Sequence, residues 1–280
     1  MKVKPLFYSL LVVALMIKGY DKLVDGFYLY KVRAPKNLLS IQQLPLGEGI
    51  AHSSVTSKAL AQPFYYLASG SQCFVFLSLD KKFILKLFKY NRWIPANLEG
   101  LRATYTSCLY SMQELAQETA LIDLQLIPNP CYKQTLTLYN RLGCTYKLPL
   151  SSTAFILQSY AQPIPEALLG LKKAHQDEKA KQLINHMLDY LLLRREKGFT
   201  DKDPNLLSNF GLIEARVVSL DVGGLIKDPK KDLPYFYGHE LEKVKRKLLP
   251  WLRRYYPELA DYAGKKIQDL QNDFFKQVLS

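Results

Sequence analysis

The stretch Gly198–Gly224, GFTDKDPNLLSNFGLIEARVVSLDVGG, decides the fold predicted for this chain of 280 residues. It begins with a loop rich in Asp, Pro and Asn, residue types that favour turns. Two short strand patterns follow, at Phe210–Ile213 and Arg216–Leu220, and the second runs into Asp221-Val222-Gly223. The stretch therefore predicts a polar loop, a hairpin and an acidic turn, in that order.

The segment before this stretch predicts the helix that leads into it. Ala180–Arg195 places apolar side chains on one stripe at helical spacing, which is the pattern of an amphipathic helix. The side chains on this stripe are Leu183, Ile184, Met187, Leu188, Leu191 and Leu192. The periodicity is helical again from His239 onward, so the second half of the chain is expected to be mainly α-helical.

The first half of the chain predicts an antiparallel sheet. Aromatic and β-branched residues lie on both sides of a Gly/Ser turn in Phe64–Phe76, FYYLASGSQCFVF. Further strands are expected at Leu77–Asp80, Phe83–Phe88, Thr135–Leu142 and Ala154–Tyr160. Leu98–Leu126 has apolar positions at helical spacing and is expected to form one long helix or two joined helices.

The composition describes a folded chain and leaves its partner open. Hydrophobic residues make up 48% and aromatic residues 12% of the chain, which excludes an intrinsically disordered protein. The 38 Lys and Arg residues outnumber the 25 Asp and Glu residues, so the formal net charge is +13. Such a charge is compatible with nucleic acid, with an anionic membrane surface or with a phosphorylated ligand.

The order of these motifs resembles that of protein-kinase-like folds. In the C-lobe of that family a helix, a loop with Asp and then Asn, a hairpin and an Asp-x-Gly follow one another. Twelve positions separate Asn209 from Asp221, close to the family's distance between its metal-binding Asn and Asp. Leu67–Cys73 resembles the glycine-rich phosphate loop, and Phe83–Lys86 resembles the strand whose lysine contacts ATP.

The resemblance covers about residues 60–225, and Phe155–Ala161 resembles the fifth strand running into the hinge between lobes. The whole chain also resembles uncharacterised, membrane-anchored kinase-like proteins of obligate intracellular bacteria.

This resemblance implies a nucleotide-binding role for several residues of the first half. Gly70 and Ser71 would lie at the phosphates of ATP, and Lys86 would contact the same phosphates with its cation. Glu118 would form an ion pair with Lys86, and Glu114 is the alternative partner one helical turn earlier.

It also implies a metal site and a catalytic carboxylate in the second half. Asn209 and Asp221 would bind Mg2+ through oxygen atoms, with Asn205 as the alternative to Asn209. Asp203 or Asp201 would accept the proton of the substrate hydroxyl.

The sequence also departs from the family pattern. Ala68 and Cys73 stand where two of the three loop glycines would be, so the loop would approach phosphate less closely. Phe199–Asp203 replaces the His-Arg-Asp triplet, and Val222 replaces the usual Phe. No Ala-Pro-Glu follows, and the 57 residues after Gly223 predict a shortened C-lobe.

The N-terminus has the layout of a membrane-targeting segment. Pro5–Ile17, PLFYSLLVVALMI, is an uninterrupted apolar run, with Lys2 and Lys4 before it and Lys18 after it. No small-x-small pair follows the run, which favours an uncleaved signal anchor or transmembrane segment over a cleaved export signal or a soluble buried helix. The flanking charges are nearly balanced, so they do not predict an orientation.

The sequence thus predicts an α+β, two-lobed protein-kinase-like fold after an N-terminal hydrophobic helix. The N-lobe is expected to hold a small antiparallel sheet and the C-lobe to be mainly helical. The expected domains are a signal anchor or transmembrane segment at 1–20, a linker at 21–59, an N-lobe at 60–161 and a C-lobe at 162–280.

The expected function is that of a membrane-anchored kinase-like protein that binds ATP and Mg2+. If it is catalytic, it would transfer phosphate to an unidentified protein or small-molecule acceptor. The first alternative is a pseudokinase that acts as an interaction module. The second is a binder of anionic lipid or nucleic acid through the basic segment His239–Tyr256, although net charge alone does not favour nucleic acid.

Overall fold

The computed structural model describes residues 4–34, 54–90, 98–130, 132–227 and 233–279. The chain divides into two units, which together form a mixed α+β protein. The sheet unit comprises Met1–Leu98 and Ile122–Ser159, and the helical unit comprises Glu99–Leu121 and Tyr160–Ser280.

Seven strands form the sheet of the sheet unit. They are β1 (Phe64–Ser69), β2 (Cys73–Ser78), β3 (Phe83–Phe88), β4 (Leu121–Gln125), β5 (Thr135–Tyr139), β6 (Thr145–Pro149) and β7 (Phe155–Ser159). Their order across the sheet is β4-β7-β3-β2-β1-β5-β6. The pairs β1–β2, β2–β3, β3–β7 and β5–β6 are antiparallel, whereas β1–β5 is parallel. The antiparallel strands predicted at the start of the sheet are confirmed.

The expectation of helix as far as Leu126 is wrong at its end. Ala120 has the left-handed φ of 52°, which ends the helix, and β4 begins at the next residue. Burial in β4 alternates, with Leu121, Asp123 and Gln125 buried. Because two of these three buried side chains are polar, the strand period of two is hidden in the apolar pattern.

The core of the sheet unit lies on one face of the sheet and is centred on Phe27. The Phe27 ring meets the rings of Phe74, Phe76 and Tyr146 edge-on, at centroid distances of 5.2, 5.1 and 5.5 Å. Such edge-to-face contacts are favoured by the charge distribution of aromatic rings. Phe27 falls within 21–59, where a linker was expected, and it belongs to this buried core.

Three helices occupy the described residues before β1. They are α1 (Lys4–Leu23), α2 (Leu29–Val32) and α3 (Ser54–Leu60). Val32 of α2 and Ala59 and Leu60 of α3 are buried in the same core as Phe27. Within the described part of the chain, no helix combines the length and the apolar character needed to cross a bilayer.

The helical unit contains helices and short strands. Its helices are α4 (Leu98–Glu114, of which Leu98 is assigned to the sheet unit), α5 (Ala116–Thr119), α6 (Ile164–Lys173), α7 (Asp177–Glu196), α8 (Leu233–Tyr255) and α9 (Pro257–Leu279). Its strands are β8 (Gln162–Pro163), β9 (Phe199–Asp201), β10 (Phe210–Ile213), β11 (Arg216–Ser219) and β12 (Leu225–Lys227). One sheet has the order β11-β10-β8, and β12 pairs with β9.

The core of the helical unit lies between α6, α7, α8 and α9. Ile184, Met187 and Leu191 of α7 are buried with Leu248 and Leu252 of α8, among others. The amphipathic stripe predicted for α7 is therefore confirmed, and so is the hairpin of β10 and β11.

Candidate functional site

The loop after α7 is closed by its own hydrogen bonds. Gly198 has a left-handed φ of 79°, which lets the chain leave α7 and enter β9. The N–H of Asn205 donates to the carbonyl oxygen of Asp203 at 2.7 Å, and the N–H of Asn209 donates to that of Asn205 at 2.9 Å. The side-chain amide of Asn209 donates to the carbonyl oxygen of Asp203 at 2.8 Å. Asp203 and Asn209 are thereby held together.

The hairpin of β10 and β11 brings Asn209 close to Asp221. Phe210 pairs with Ser219, and the N–H of Leu220 donates to the carbonyl oxygen of Asn209 at 2.7 Å. Asn209 enters the hairpin and Asp221 leaves it at the same end, one residue beyond Leu220. Both side chains carry oxygen atoms, the donor type that Mg2+ prefers.

Three hydrogen bonds fix the segment that carries Asp221. The Asp221 Oδ1 atom accepts a 3.0 Å hydrogen bond from the N–H of Gly223. The hydroxyl of Ser107, on α4, donates to the carbonyl oxygen of Val222 at 2.5 Å. The N–H of Lys202, just after β9, donates to the carbonyl oxygen of Gly224 at 3.2 Å. These bonds join the acidic turn to α4 and to the loop after α7.

The two candidate catalytic carboxylates differ sharply in surroundings. The Asp201 carboxylate is buried and lies 3.3 Å from the Arg194 guanidinium. Burial raises the pKa of Asp201, and the attraction of Arg194 opposes that shift. The Asp203 side chain is 61% exposed and forms an ion pair with Lys247 of α8. Of the two carboxylates, that of Asp203 is open to a substrate.

Arg194 holds the start of this loop from inside the core. Its side chain is fully buried and forms ion pairs with Asp201 and with Glu240 of α8. Burial also raises the pKa of the Glu240 carboxyl. The buried pairing of Arg194 with Glu240 was not predicted from the sequence. A signal was present, because Arg194 continues the buried series Ile184, Met187 and Leu191 at helical spacing.

Both glutamates expected near Lys86 have lysine partners within the helical unit. Glu118, on α5, forms an ion pair with Lys197, the residue that follows α7. Glu114, at the end of α4, forms an ion pair with Lys227 of β12. These ion pairs connect the α4–α5 segment to Lys197, which precedes the loop after α7, and to Lys227, which follows the acidic turn. The predicted ion pair between Glu118 and Lys86 stays a prediction.

In the sheet unit, Lys86 lies on the face of the sheet opposite the core. It pairs with Val75 of β2 and with Ile156 of β7, while its neighbours Leu85 and Leu87 point into the core. Strand alternation therefore places the Lys86 side chain on the same face as Val75 and Ile156. The face combines a cation with apolar side chains.

The turn between β1 and β2 contains Gly70 and Ser71. The N–H of Gly70 donates to the carbonyl oxygen of Cys73 at 2.9 Å, which closes the turn. A Cβ atom added at Gly70 would have ordinary van der Waals contact with that oxygen, at 3.7 Å. Ser71 is exposed at the tip of the turn.

Among the described residues, Asn209 and Asp221 are not joined by further acidic, thiol or imidazole groups in a metal site made of protein atoms alone. Within the described residues, no group of three or more His, Cys, Asp or Glu side chains is arranged to hold a metal ion. Mg2+ usually binds one or two protein oxygens together with phosphate and water oxygens. Asn209 and Asp221 fit that partial ligand set.

No protein-family model matches the sequence, and no curated protein matches it. Several solved structures are similar in fold. One is the bifunctional kinase-methyltransferase WbdD, with 13% identity and a TM-score of 0.32 over 61% of this chain and 34% of that chain. A structure of WbdD with a kinase inhibitor has 13% identity and a TM-score of 0.36 over 72% and 45% of the two chains.

The LegK7 effector kinase of Legionella pneumophila is also similar, with 12% identity and a TM-score of 0.32. The match covers 66% of this chain and 44% of that chain. The chain therefore spans less than half the length of the solved structures it matches. Kinase structures are among these matches, as the sequence resemblance predicted; kinase activity is a property of those proteins.

Proposed function

We propose that this chain is a kinase-like protein that binds ATP with Mg2+ and transfers phosphate to a hydroxyl of a protein or small molecule. The observation that carries the proposal is the placement of Asn209 and Asp221 at one end of the hairpin. Two oxygen-bearing side chains at that spacing can bind one divalent ion together with phosphate oxygens.

Bound Mg-ATP would supply the transferable phosphoryl group, and the protein would supply position and charge. In the helical unit, Asn209 and Asp221 would hold the metal. Asp203 would accept the proton of the acceptor hydroxyl, because its carboxylate is exposed beside the metal-binding pair. Asp201 has a structural part instead, as the buried partner of Arg194.

In the sheet unit, Lys86 would place its cation at the phosphates. The neighbouring Val75, which is partly exposed, would give the base of the nucleotide an apolar contact. The turn at Gly70 and Ser71 would approach the phosphates with its backbone. These roles use the face of the sheet opposite the core, on which Lys86 and Val75 are partly exposed.

A thermal-shift titration tests nucleotide binding. A ligand that binds the folded state alone raises the midpoint of unfolding, so millimolar Mg-ATP should raise it. Lys86→Met and Asp221→Asn should reduce the rise, and Lys82→Met, at an exposed lysine of the β2–β3 turn, should leave it unchanged. No rise with the wild-type protein would refute the proposal.

Transfer is tested with a peptide and small-molecule library and labelled ATP. Asp203→Asn should abolish transfer while leaving the Mg-ATP shift in place, because the base acts on the acceptor. Nucleotide binding without transfer to any acceptor would favour the pseudokinase alternative. Transfer that survives Asp203→Asn would exclude Asp203 as the base.

We also propose that α1 holds the chain at a membrane. Its side chains from Leu10 to Val13 and from Leu15 to Ile17 are all exposed. Successive helical residues differ by about 100° in direction, so these side chains surround the helix. A protein groove would cover one face, whereas lipid can cover every face.

Flotation with phosphatidylcholine vesicles tests this attachment. Leu11→Asp combined with Leu15→Asp should release the protein, and Leu169→Asp, at an exposed leucine of α6, should not. Binding that requires anionic lipid and disappears in high salt would instead favour the basic segment His239–Tyr256.

A further inference from the structure

Lys89 donates hydrogen bonds to the β1–β2 turn from both its side chain and its backbone. Its Nζ atom donates a 2.6 Å hydrogen bond to the hydroxyl of Ser69 and a second bond to the carbonyl oxygen of Gly70. Its backbone N–H donates to the carbonyl oxygen of Gln72 at 2.8 Å. Lys89 lies directly after β3, and its hydrogen bonds hold Ser69, Gly70 and Gln72.

The ammonium group of Lys89 is itself held in place. It lies 4.4 Å from the centroid of the Phe74 ring, and Phe74 belongs to the core of the sheet unit. A cation over an aromatic face is attracted by the ring's negative charge. Burial also lowers the pKa of Lys89. The ammonium group that bonds to the turn is thus in contact with the core of the sheet unit.

The turn needs such support because its glycine does not define its shape. Gly70 is not among the described glycines with a left-handed φ, and a Cβ atom there would meet no close contact. In the family pattern, further glycines allow the backbone to approach phosphate, but here Ala68 and Cys73 occupy those places. The conformation of the turn is therefore held by the side-chain hydrogen bonds of Lys89, and not by glycine backbone conformations.

We propose that Lys89 is a positioning residue that holds the turn Gly70–Gln72 in the conformation that receives the phosphates of ATP. The proposal rests on the proposed function, and Lys89 acts through the turn, whereas Lys86 would contact the phosphates themselves. Lys89→Met removes the three donors of its ammonium group, and Lys89→Arg keeps a cation with several donors.

The experiment compares the binding of Mg-ATP and of adenosine, which has no phosphates. Calorimetric titrations are made on the wild-type protein, Lys89→Met, Lys89→Arg and the control Lys82→Met. We expect Lys89→Met to weaken Mg-ATP binding at least tenfold and to leave adenosine binding unchanged. Lys89→Arg should recover part of the loss, and Lys82→Met should equal the wild type.

A second readout needs no nucleotide. Amide hydrogen exchange at Gly70, whose N–H is bonded to Cys73, reports opening of the turn. In Lys89→Met this exchange should be at least tenfold faster, whereas exchange in β7 should not change.

The outcomes separate this inference from the proposed function. Equal weakening of adenosine and Mg-ATP, or unchanged Mg-ATP binding, would overturn the role of Lys89. If the wild-type protein binds neither ligand, the proposed function fails, and amide exchange alone decides whether Lys89 holds the turn. Unchanged exchange at Gly70 would then overturn the inference as well.

Discussion

The side-chain amide of Asn209 donates a 2.8 Å hydrogen bond to the carbonyl oxygen of Asp203. The bond closes a loop of seven residues, Asp203–Asn209, and fixes the backbone of Asp203 beside the entrance to the hairpin. Asn209 therefore has two parts in the proposed site, since its amide nitrogen shapes the loop and its oxygen would face the metal.

Asn209→Ala should separate these two parts. The variant loses the bond to Asp203 and the bond that Oδ1 accepts from the Ser208 hydroxyl, which should lower the free energy of unfolding by roughly 1–2 kcal/mol. The midpoint rise with Mg-ATP should fall to that seen with ATP and a chelator. Asn205→Ala is the comparison, because the Asn205 side chain accepts a longer bond, of 3.2 Å, from the N–H of Leu207. A metal response lost in Asn205→Ala and kept in Asn209→Ala would make Asn205 the ligand.

Gly211→Ala should destabilise the hairpin through crowding. A Cβ atom at Gly211 would lie 2.8 Å from the Cβ of Ala161 and 3.1 Å from the carbonyl oxygen of Gln162. Overpacking of this kind costs roughly 1–3 kcal/mol. Gly170→Ala is the matched control, since its new Cβ meets nothing within 4 Å and it lies within α6.

Urea unfolding measures both glycine variants. Gly170→Ala should raise the free energy of unfolding by up to about 1 kcal/mol, because alanine favours the helix. A loss of stability in Gly170→Ala equal to that in Gly211→Ala would show that crowding at Gly211 is not the cause.

Local patterns predicted the elements that position the candidate site. The stripe on α7 and the alternation of β10 and β11 follow from neighbouring residues, and both were confirmed. The strand β4 was missed because its buried residues include Asp123 and Gln125. A polar side chain on a buried face gives no apolar signal, so its period could not be recognised.

The ion pairs around the site could not be predicted in the same way. Arg194 and Glu240 lie 46 residues apart, and their contact depends on how α8 packs against α7. The same holds for the partners of Glu114 and Glu118, which are lysines distant in sequence. Motif spacing identifies residues that share a site in a family, whereas charge pairing depends on the tertiary fold.

Arg194→Met should be among the most damaging single substitutions in the helical unit. It would leave the carboxylates of Asp201 and Glu240 buried without their cation. Breaking a buried ion pair in this way costs about 3–5 kcal/mol. Lys179→Met, at an exposed position of the same helix, should change stability by less than about 0.5 kcal/mol.

A double-mutant cycle measures how much of the stability lost in Arg194→Met is due to the unpaired carboxylate of Glu240. If the unpaired carboxylate of Glu240 causes most of the loss, Glu240→Gln in the Arg194→Met background should recover part of the free energy of unfolding. Strictly additive effects of the two substitutions would show that Arg194 and Glu240 do not interact.

Glu240 should also make stability depend on pH. Burial raises the pKa of its carboxyl above the ordinary value of 4.5, against the opposing attraction of Arg194. The folded protein then holds this proton more tightly than the unfolded chain does. The resulting stability is fully present below pH 4.5 and is lost as the pH rises through the folded-state pKa.

Urea unfolding from about pH 4 upward should therefore show a slope that Glu240→Gln lacks. Relative to this variant, the wild-type protein should lose stability as the pH rises, because the neutral glutamine binds no proton at any pH. Glu242→Gln removes a carboxylate from an exposed position of the same helix and controls for the change in net charge. Parallel curves for the wild-type protein and Glu240→Gln would mean that burial of Glu240 does not shift its pKa.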